Sequence, residues 1–414
     1  MSTTASETQR RAKACGSRIR FGALAMTCAL VLAANASAGP REEAKRMYDR
    51  LTGTPPSADL LDTLTQRVNS YGRLDTALFI IDSTQPHSSP FYSVVLKNWA
   101  APWTNRDQTV FAPLNDYTAT VIGMVRDDKD FRGLLSDDIV YIGSNVTPAF
   151  STDNNAHYEA LEANHADLRV ALVERAQSSL NGLPSNATAG VITSRAAAQA
   201  FFIDGPTRAM FRFTLLNHMC RDLEQVHDTS RPPDRIRQDV TRSPGGDSSI
   251  FLNNCVGCHN GMDPLAQAFA YYDFDETQGQ AGRLVYTPGV VQPKYLINSD
   301  NFKPGYVTPN DSWENRWRLP GQNNVALGWA NSDNQIRDGH GRGSGAKSLG
   351  QELANSTAFA QCQVEKVFKT VCFRSPSDSE LNDVTAAFRS NNGSMKRVFA
   401  EAASRCAGGL GDQP

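Results

Sequence analysis

The sequence predicts a mainly α fold. Apolar residues recur at helical spacing over most of the chain, Ser and Asp stand where helices would begin, and no run of strict apolar–polar alternation marks a strand. The expected architecture is an N-terminal helical domain over 39–185, a helical core carrying the chemistry over 186–300, and a C-terminal three-helix unit over 347–414. An irregular Gly- and Trp-rich segment, 301–346, separates the last two. The chain has 414 residues, 40% hydrophobic and 20% charged. That is an ordinary globular composition with room for two or three domains.

Residues 1–38 read as a secretory signal peptide. Arg10, Arg11, Lys13, Arg18 and Arg20 form a positive region, Phe21 to Ala34 is almost wholly apolar, and Ala36-Ser37-Ala38 is an A-x-A cleavage site. The alternative is an uncleaved anchor, but spanning a bilayer takes about 20 apolar residues and this run is shorter. The residues before Cys28 do not form a lipoprotein box. Cleavage after Ala38 leaves 36 Lys and Arg against 42 Asp and Glu, a net charge of −6. Such a chain has no electrostatic attraction to nucleic acid or anionic lipid. No later stretch is apolar enough for a transmembrane helix, so the expected location is the periplasm or the medium.

In the N-terminal domain, Arg41 to Leu51 is a helix with Met47, Tyr48 and Leu51 on one side. Ser57 caps a second helix whose apolar face is Leu60, Leu61, Leu64 and Val68. His157 to Leu180 is the longest candidate, because Leu161, Leu168, Leu172 and Val173 repeat at helical spacing. The run Asn181 to Asn186 contains Gly182 and Pro184 and marks a boundary.

Two helices follow, about Ser194 to Ile203 and Thr207 to Leu223. The second is made apolar by Met210, Phe211, Phe213, Leu215 and Leu216. After a Pro- and Arg-rich loop, Asp247 is placed to cap a short helix carrying Cys255-Val256-Gly257-Cys258-His259. This is C-x-x-C-H, the attachment motif for c-type haem. Each thiol adds across one vinyl group, forming a C–S bond as its proton passes to the neighbouring carbon. The next residue then presents its imidazole to the iron as proximal ligand. Covalent attachment takes place outside the bacterial cytoplasm, so the leader and the motif support one another. One haem c is therefore the expected cofactor, held by Cys255, Cys258 and His259. Two rivals stay open. A thiol redox pair would need a thioredoxin-like β-α-β context, and zinc would need further ligands at metal spacing.

The sixth iron position is not assigned by spacing. Candidates are Met219 and its neighbour His218 on the preceding helix, Met262 three residues after His259, His340 in the Gly-rich run 339–345, and Met395 at the start of the last helix. If none binds, the iron is open to peroxide or a small ligand. The glycines of 339–345 do not form a dinucleotide fingerprint, since no strand signal precedes them. Asp273, Asp275 and Glu276 read as a solvated acidic turn rather than a calcium site.

At the C-terminus, Thr357 to Cys372 carries the stripe Phe359, Val364, Val367, Phe368 and Val371. Ser377 and Glu380 fit a capping box for the second helix, and the third runs from about Ser394 to Cys406. Six cysteines remain after the leader, four of them outside the motif, and four allow three disulfide connectivities. In an up-down-up bundle the first and third helices end on the same side, which brings Cys372 to Cys406 and leaves Cys220 for Cys362.

Several of these residues also carry a resemblance. Ala189-Gly190-Val191-Ile192-Thr193, Pro206-Thr207-Arg208, Asn217-His218-Met219-Cys220, the C-x-x-C-H motif, Met262-Asp263-Pro264-Leu265 and the run Phe269 to Asp273 stand in this order. Together they resemble the cytochrome-c-like domains of planctomycete-type secreted bacterial proteins. Leu353 to Phe373 is similar to the helical domain that accompanies them. The resemblance spans less than half of the chain and departs from the family at Ala266, where glycine is usual. It implies haem binding and electron transfer with a protein partner or a small-molecule donor or acceptor. A haem oxidoreductase of peroxidase or oxidase type, with an open iron site, is the second expectation, and a haem-free secreted protein the third.

Overall fold

The computed structural model describes residues 38–202, 208–236, 249, 251–276, 282–293, 306–329, 336–338 and 340–408. Residues 1–37 of the expected leader and the expected cap Asp247 lie outside the described residues. The class is mainly α with small sheets only, as the sequence predicts.

The local signals for helix starts hold. Helix α1 (Pro40–Thr52) buries Met47, Tyr48 and Leu51. Helix α2 (Ala58–Ile80) begins where the Ser57 hydroxyl accepts from the Leu60 N–H, and it breaks at Gly72, whose φ is 82°. Next come α3 (Asp116–Arg126), α4 (Ala156–Ala163), α5 (Arg195–Phe201, capped by Ser194) and α6 (Arg208–Met219). The motif helix α7 (Val256–Ala266) is entered through a π-turn over Phe251–Cys255. Helices α8 (Gly345–Ala354), α9 (Thr357–Val371), α10 (Asp378–Ser390) and α11 (Met395–Arg405) close the chain. Ser377 and Glu380 form the expected capping box at the start of α10.

The long helix expected over His157 to Leu180 does not form. The chain leaves α4 through His165, whose φ is +50°, makes one turn over Leu168–Ala171, and then becomes a strand. Strand β2 (Leu172–Arg175) pairs antiparallel with β1 (Val140–Gly143). Leu161, Leu168 and Leu172 are buried all the same. Their spacing records burial, and a broken path buries them as well as a helix would.

The expected acidic turn is likewise a strand. β3 (Tyr272–Asp275) pairs antiparallel with β4 (Arg283–Tyr286), setting Asp275 opposite Arg283. The described residues of the 301–346 segment also build structure. β5 (Ser312–Glu314) pairs antiparallel with β7 (Gly341–Ser344), which runs parallel to β6 (Arg337–Asp338). Two to four residues are too few for alternation to show in a sequence. A strand therefore does precede the glycines of 339–345, and two of them sit in β7. A Cβ at Gly343 would lie 2.8 Å from the Trp313 ring, so the strand approaches the tryptophan only because there is none.

One continuous apolar core runs through all these units, with Leu51, Leu135, Phe211, Trp317, Phe359 and Phe399 among its members. Leu183 and Ala187 belong to it too, so the breaker at 181–186 is a turn on a shared core. Helix α11 packs on α2, and its Phe399 ring also lies 5.0 Å from Phe91 and 5.3 Å from Trp99, in the helical segment after α2. Among the described residues no helix is long and apolar enough to cross a membrane. Both expected cysteine pairs stand at disulfide distance, Cys220 with Cys362 (Cα–Cα 5.2 Å) and Cys372 with Cys406 (5.7 Å).

The first pair spans 142 residues of chain, so removing it frees a long loop in the unfolded state. Cys220→Ser/Cys362→Ser should lower the unfolding free energy by about 2–5 kcal/mol in a denaturant titration. An unchanged midpoint would mean that these thiols are not bridged in the native protein.

Candidate functional site

The motif occupies the first turn of α7. Val256, Gly257, Asn260 and Gly261 are buried, while Cys255, Cys258 and His259 are only partly so. The split follows from helical spacing, which sends 255, 258, 259 and 262 to one face and 256, 257, 260 and 261 to the other. Each buried position has a partner. Asn260 donates from Nδ2 to the carbonyls of Asp228 (2.6 Å) and Arg231 (3.1 Å), and the Asp228 N–H donates to the Gly257 carbonyl at 3.0 Å. A Cβ at Gly257 would meet His227 Nε2 at 2.2 Å, and one at Gly261 would meet Trp317 Nε1 at 2.1 Å. Both glycines are thus required by close approach rather than by backbone angle. Among the described residues, the buried Trp317 indole N–H has no acceptor.

Cys255 and Cys258 are free thiols, in contrast to the other four cysteines of the described chain. Burial pushes the Cys258 thiol up, and the nearby Glu224, Cys255 and Asp222 add to it. Reactive redox thiols sit in electropositive surroundings that lower them. The surroundings of Cys258 act the other way.

His259 is oriented by its own helix. Its Nδ1 lies 3.1 Å from Asp263 Oδ1, one turn on, and the Asp263 side chain is fully buried. Arg208, at the start of α6, grips the same carboxylate from Nε at 2.9 Å and Nη2 at 3.2 Å. Burial works against the Asp263 charge, but the Arg208 cation and the hydrogen bonds from His259 and Arg208 outweigh it. They hold the carboxyl well below the usual range. A neutral imidazole donating from Nδ1 to this carboxylate carries its lone pair on Nε2, the arrangement a metal-ligating histidine uses. The donor set therefore fits a covalently attached haem: two thiols at the required spacing, followed by an oriented imidazole. The i, i+4 spacing of His259 and Asp263 is visible in the sequence, but the role of Asp263 as orienter is not. Nothing in the sequence marks Arg208, Asn260 or Trp317 as its supports.

The sixth-ligand candidates lie in different settings. Met262 is buried on α7, on the same helix face as His259. Met219 is fully buried at the end of α6, where its sulfur accepts from the Ser356 hydroxyl at 3.4 Å. Met395 is buried at the start of α11. His218 is buried with its Nε2 2.6 Å from the Tyr117 hydroxyl. His340 is partly buried beside β7, in the sheet whose strand β5 packs on α7. The fold thus brings β5 and Trp317 to the motif helix.

Two outcomes follow. Arg208→Ala leaves a buried carboxylate without its cation and should cost about 3–5 kcal/mol in chemical denaturation; a cost under about 1 kcal/mol would remove the pair as the anchor of α7. His218 has an ordinary value of 6.5, which burial and then the Lys366 charge lower strongly in the fold. Above pH 6.5 both folded and unfolded states hold it neutral; below, the unfolded chain takes up a proton that the fold refuses. Stability should fall as the pH drops under 6.5, and His218→Gln should flatten that slope in thermal melts.

No protein-family model matches this chain, and no curated protein or solved structure is significantly similar to it.

Proposed function

We propose that this is an exported c-type haem protein acting in periplasmic electron transfer, with one haem bound through Cys255 and Cys258 and with His259 as proximal iron ligand. The observation that carries the reading is the arrangement on α7: two unpaired thiols and a histidine on one partly exposed face, the ring fixed through Nδ1 by a buried, Arg208-paired carboxylate. The haem would supply one-electron chemistry at its iron. The chain's own part is to tether it and to hold the imidazole by Asp263. By holding His259 Nδ1, Asp263 would make the ring a stronger donor to a bound iron. The two pairs at disulfide distance are in keeping with an oxidising compartment.

The rival site chemistries have less support. The raised Cys258 thiol is opposite to what a redox dithiol needs. Zinc requires a closed ligand set, and among the described residues no three His, Cys, Asp or Glu side chains converge to form one. A haem oxidoreductase with an open iron position is favoured by a separate observation. Met219 is engaged by Ser356, and Met262 shares the helix face of His259, so neither would be a ready sixth ligand.

The test is a denaturing gel stained for haem, together with oxidised and reduced absorption spectra, after co-expression with the cytochrome c maturation system. Haem that stays on the denatured chain and is lost in Cys255→Ala/Cys258→Ala is the expected result; a haem-free mature chain overturns the proposal. A low-spin spectrum selects the carrier, and a high-spin spectrum that responds to cyanide or peroxide selects the enzyme.

A further inference from the structure

A cavity of about 390 Å³, lined by no residue of the C-x-x-C-H motif, lies where six stretches of chain meet. Val140 and Phe150 come from the N-terminal half, Leu180 from the helical turn over Ser178–Asn181, Leu183 from the turn at 181–186, and Leu284 from β4. These side chains make an apolar wall. The charged residues that line it are Asp116, Arg195 and Arg283.

The polar groups are not equivalent. The buried Asp116 carboxylate is already committed, accepting from the backbone N–H groups of Arg195 (2.5 Å), Ala196 (3.0 Å) and Tyr117 (3.0 Å). Gln177 is committed as well, donating to the Gly190 carbonyl at 3.1 Å and accepting from the Thr193 hydroxyl at 2.6 Å. The Arg195 guanidinium is fixed in place. Its Nε donates to the Gly282 carbonyl at 2.9 Å, its Nη1 to Gln199 Oε1 at 3.2 Å, and its carbon lies 5.8 Å from the centre of the Phe274 ring. Gly282 directly precedes Arg283, so both cationic residues stand at the same end of β4, with Arg283 exposed. A pre-positioned cation loses little conformational freedom when it meets an anion, and arginine binds carboxylates through paired N–H groups.

We infer that this cavity binds a small organic monocarboxylate with an apolar body, its carboxylate at the Arg195–Arg283 end and its body against Val140, Phe150, Leu180, Leu183 and Leu284. The volume is near the lower limit of small-molecule sites, which suits an aromatic or short-chain acid rather than a larger cofactor. Arg283 and the Arg195 guanidinium, whose charge Asp116, Asp153 and Glu159 offset in part, favour an anionic head group over a neutral or cationic one. This site is independent of haem attachment and is expected in the Cys255→Ala/Cys258→Ala variant too.

The test is isothermal titration of the full mature chain with sodium benzoate, sodium hexanoate and neutral benzamide as probes. The two acids are expected to bind in the micromolar to low-millimolar range, and benzamide at least about tenfold more weakly, since it lacks the charge. Arg283→Gln, an exposed change, should weaken benzoate about tenfold and leave the melting temperature of the free protein unchanged. Leu180→Trp, which fills the cavity from a half-buried position, should abolish binding of both acids. The inference is overturned if neither acid binds below about 10 mM, if benzamide matches benzoate, or if Leu180→Trp, folded by circular dichroism, binds as the parent does.

Discussion

The motif helix is held in place by a buried ion pair, Arg208 with Asp263. A carboxylate with no exposed surface survives inside a protein only when a cation and hydrogen bonds replace its water. Here Arg208 supplies the cation and His259 a hydrogen bond, so α6 and α7 are joined at the point where the histidine is aimed. The far end of α6 is fixed in turn by Cys220, bonded to Cys362 on α9. The orientation of one imidazole is thereby connected to the C-terminal bundle.

That bundle is anchored to the beginning of the chain. Arg50 donates to the Cys406 carbonyl at 2.8 Å and Arg46 to the Ala407 carbonyl at 2.6 Å, satisfying carbonyls at the end of α11 that have no partner within the helix. The segment 306–345 closes another side. Arg318 makes a buried two-point ion pair with Glu352, at 2.6 and 2.8 Å, and the Trp329 indole donates to the Glu352 carbonyl at 2.8 Å. Trp313 donates to the Ser348 hydroxyl at 2.8 Å, and Trp317 lies on Gly261 of the motif helix. A stretch that looks irregular in the sequence is thus one of the parts packed on the motif. Its glycines admit tryptophan and arginine side chains where a Cβ would collide.

Much of the helical layout was legible because its signals are local. Ser57, Ser194, Ser377 with Glu380, and Ser394 each cap the helix they precede, and a cap acts within three residues. The Cys372–Cys406 pairing was legible from helix ends alone, since two helices that finish on one side bring their last residues together. The reading failed where spacing had two solutions. Leu161, Leu168 and Leu172 fit a helix face, yet the chain buries them by turning at His165 and pairing with β1. The competing term is a ladder with a strand some thirty residues earlier, which no local window contains.

The sequence by itself determined the chemistry offered at the site: two thiols and an imidazole in C-x-x-C-H order, their spacing on a helical turn, and the caps and cysteines that frame the bundle. These depend on covalent order and on interactions within a turn or two. Only the tertiary structure decided that Asp263 fixes the His259 ring, that Arg208 sustains the Asp263 charge, that Trp317 sits against Gly261, and that Arg195 stands beside Arg283 at a cavity. Each of these joins residues far apart in the chain, or a local pair whose charge only a distant partner can stabilise. Such contacts follow from how the whole core closes, and a periodicity of 3.6 or 2 does not encode them.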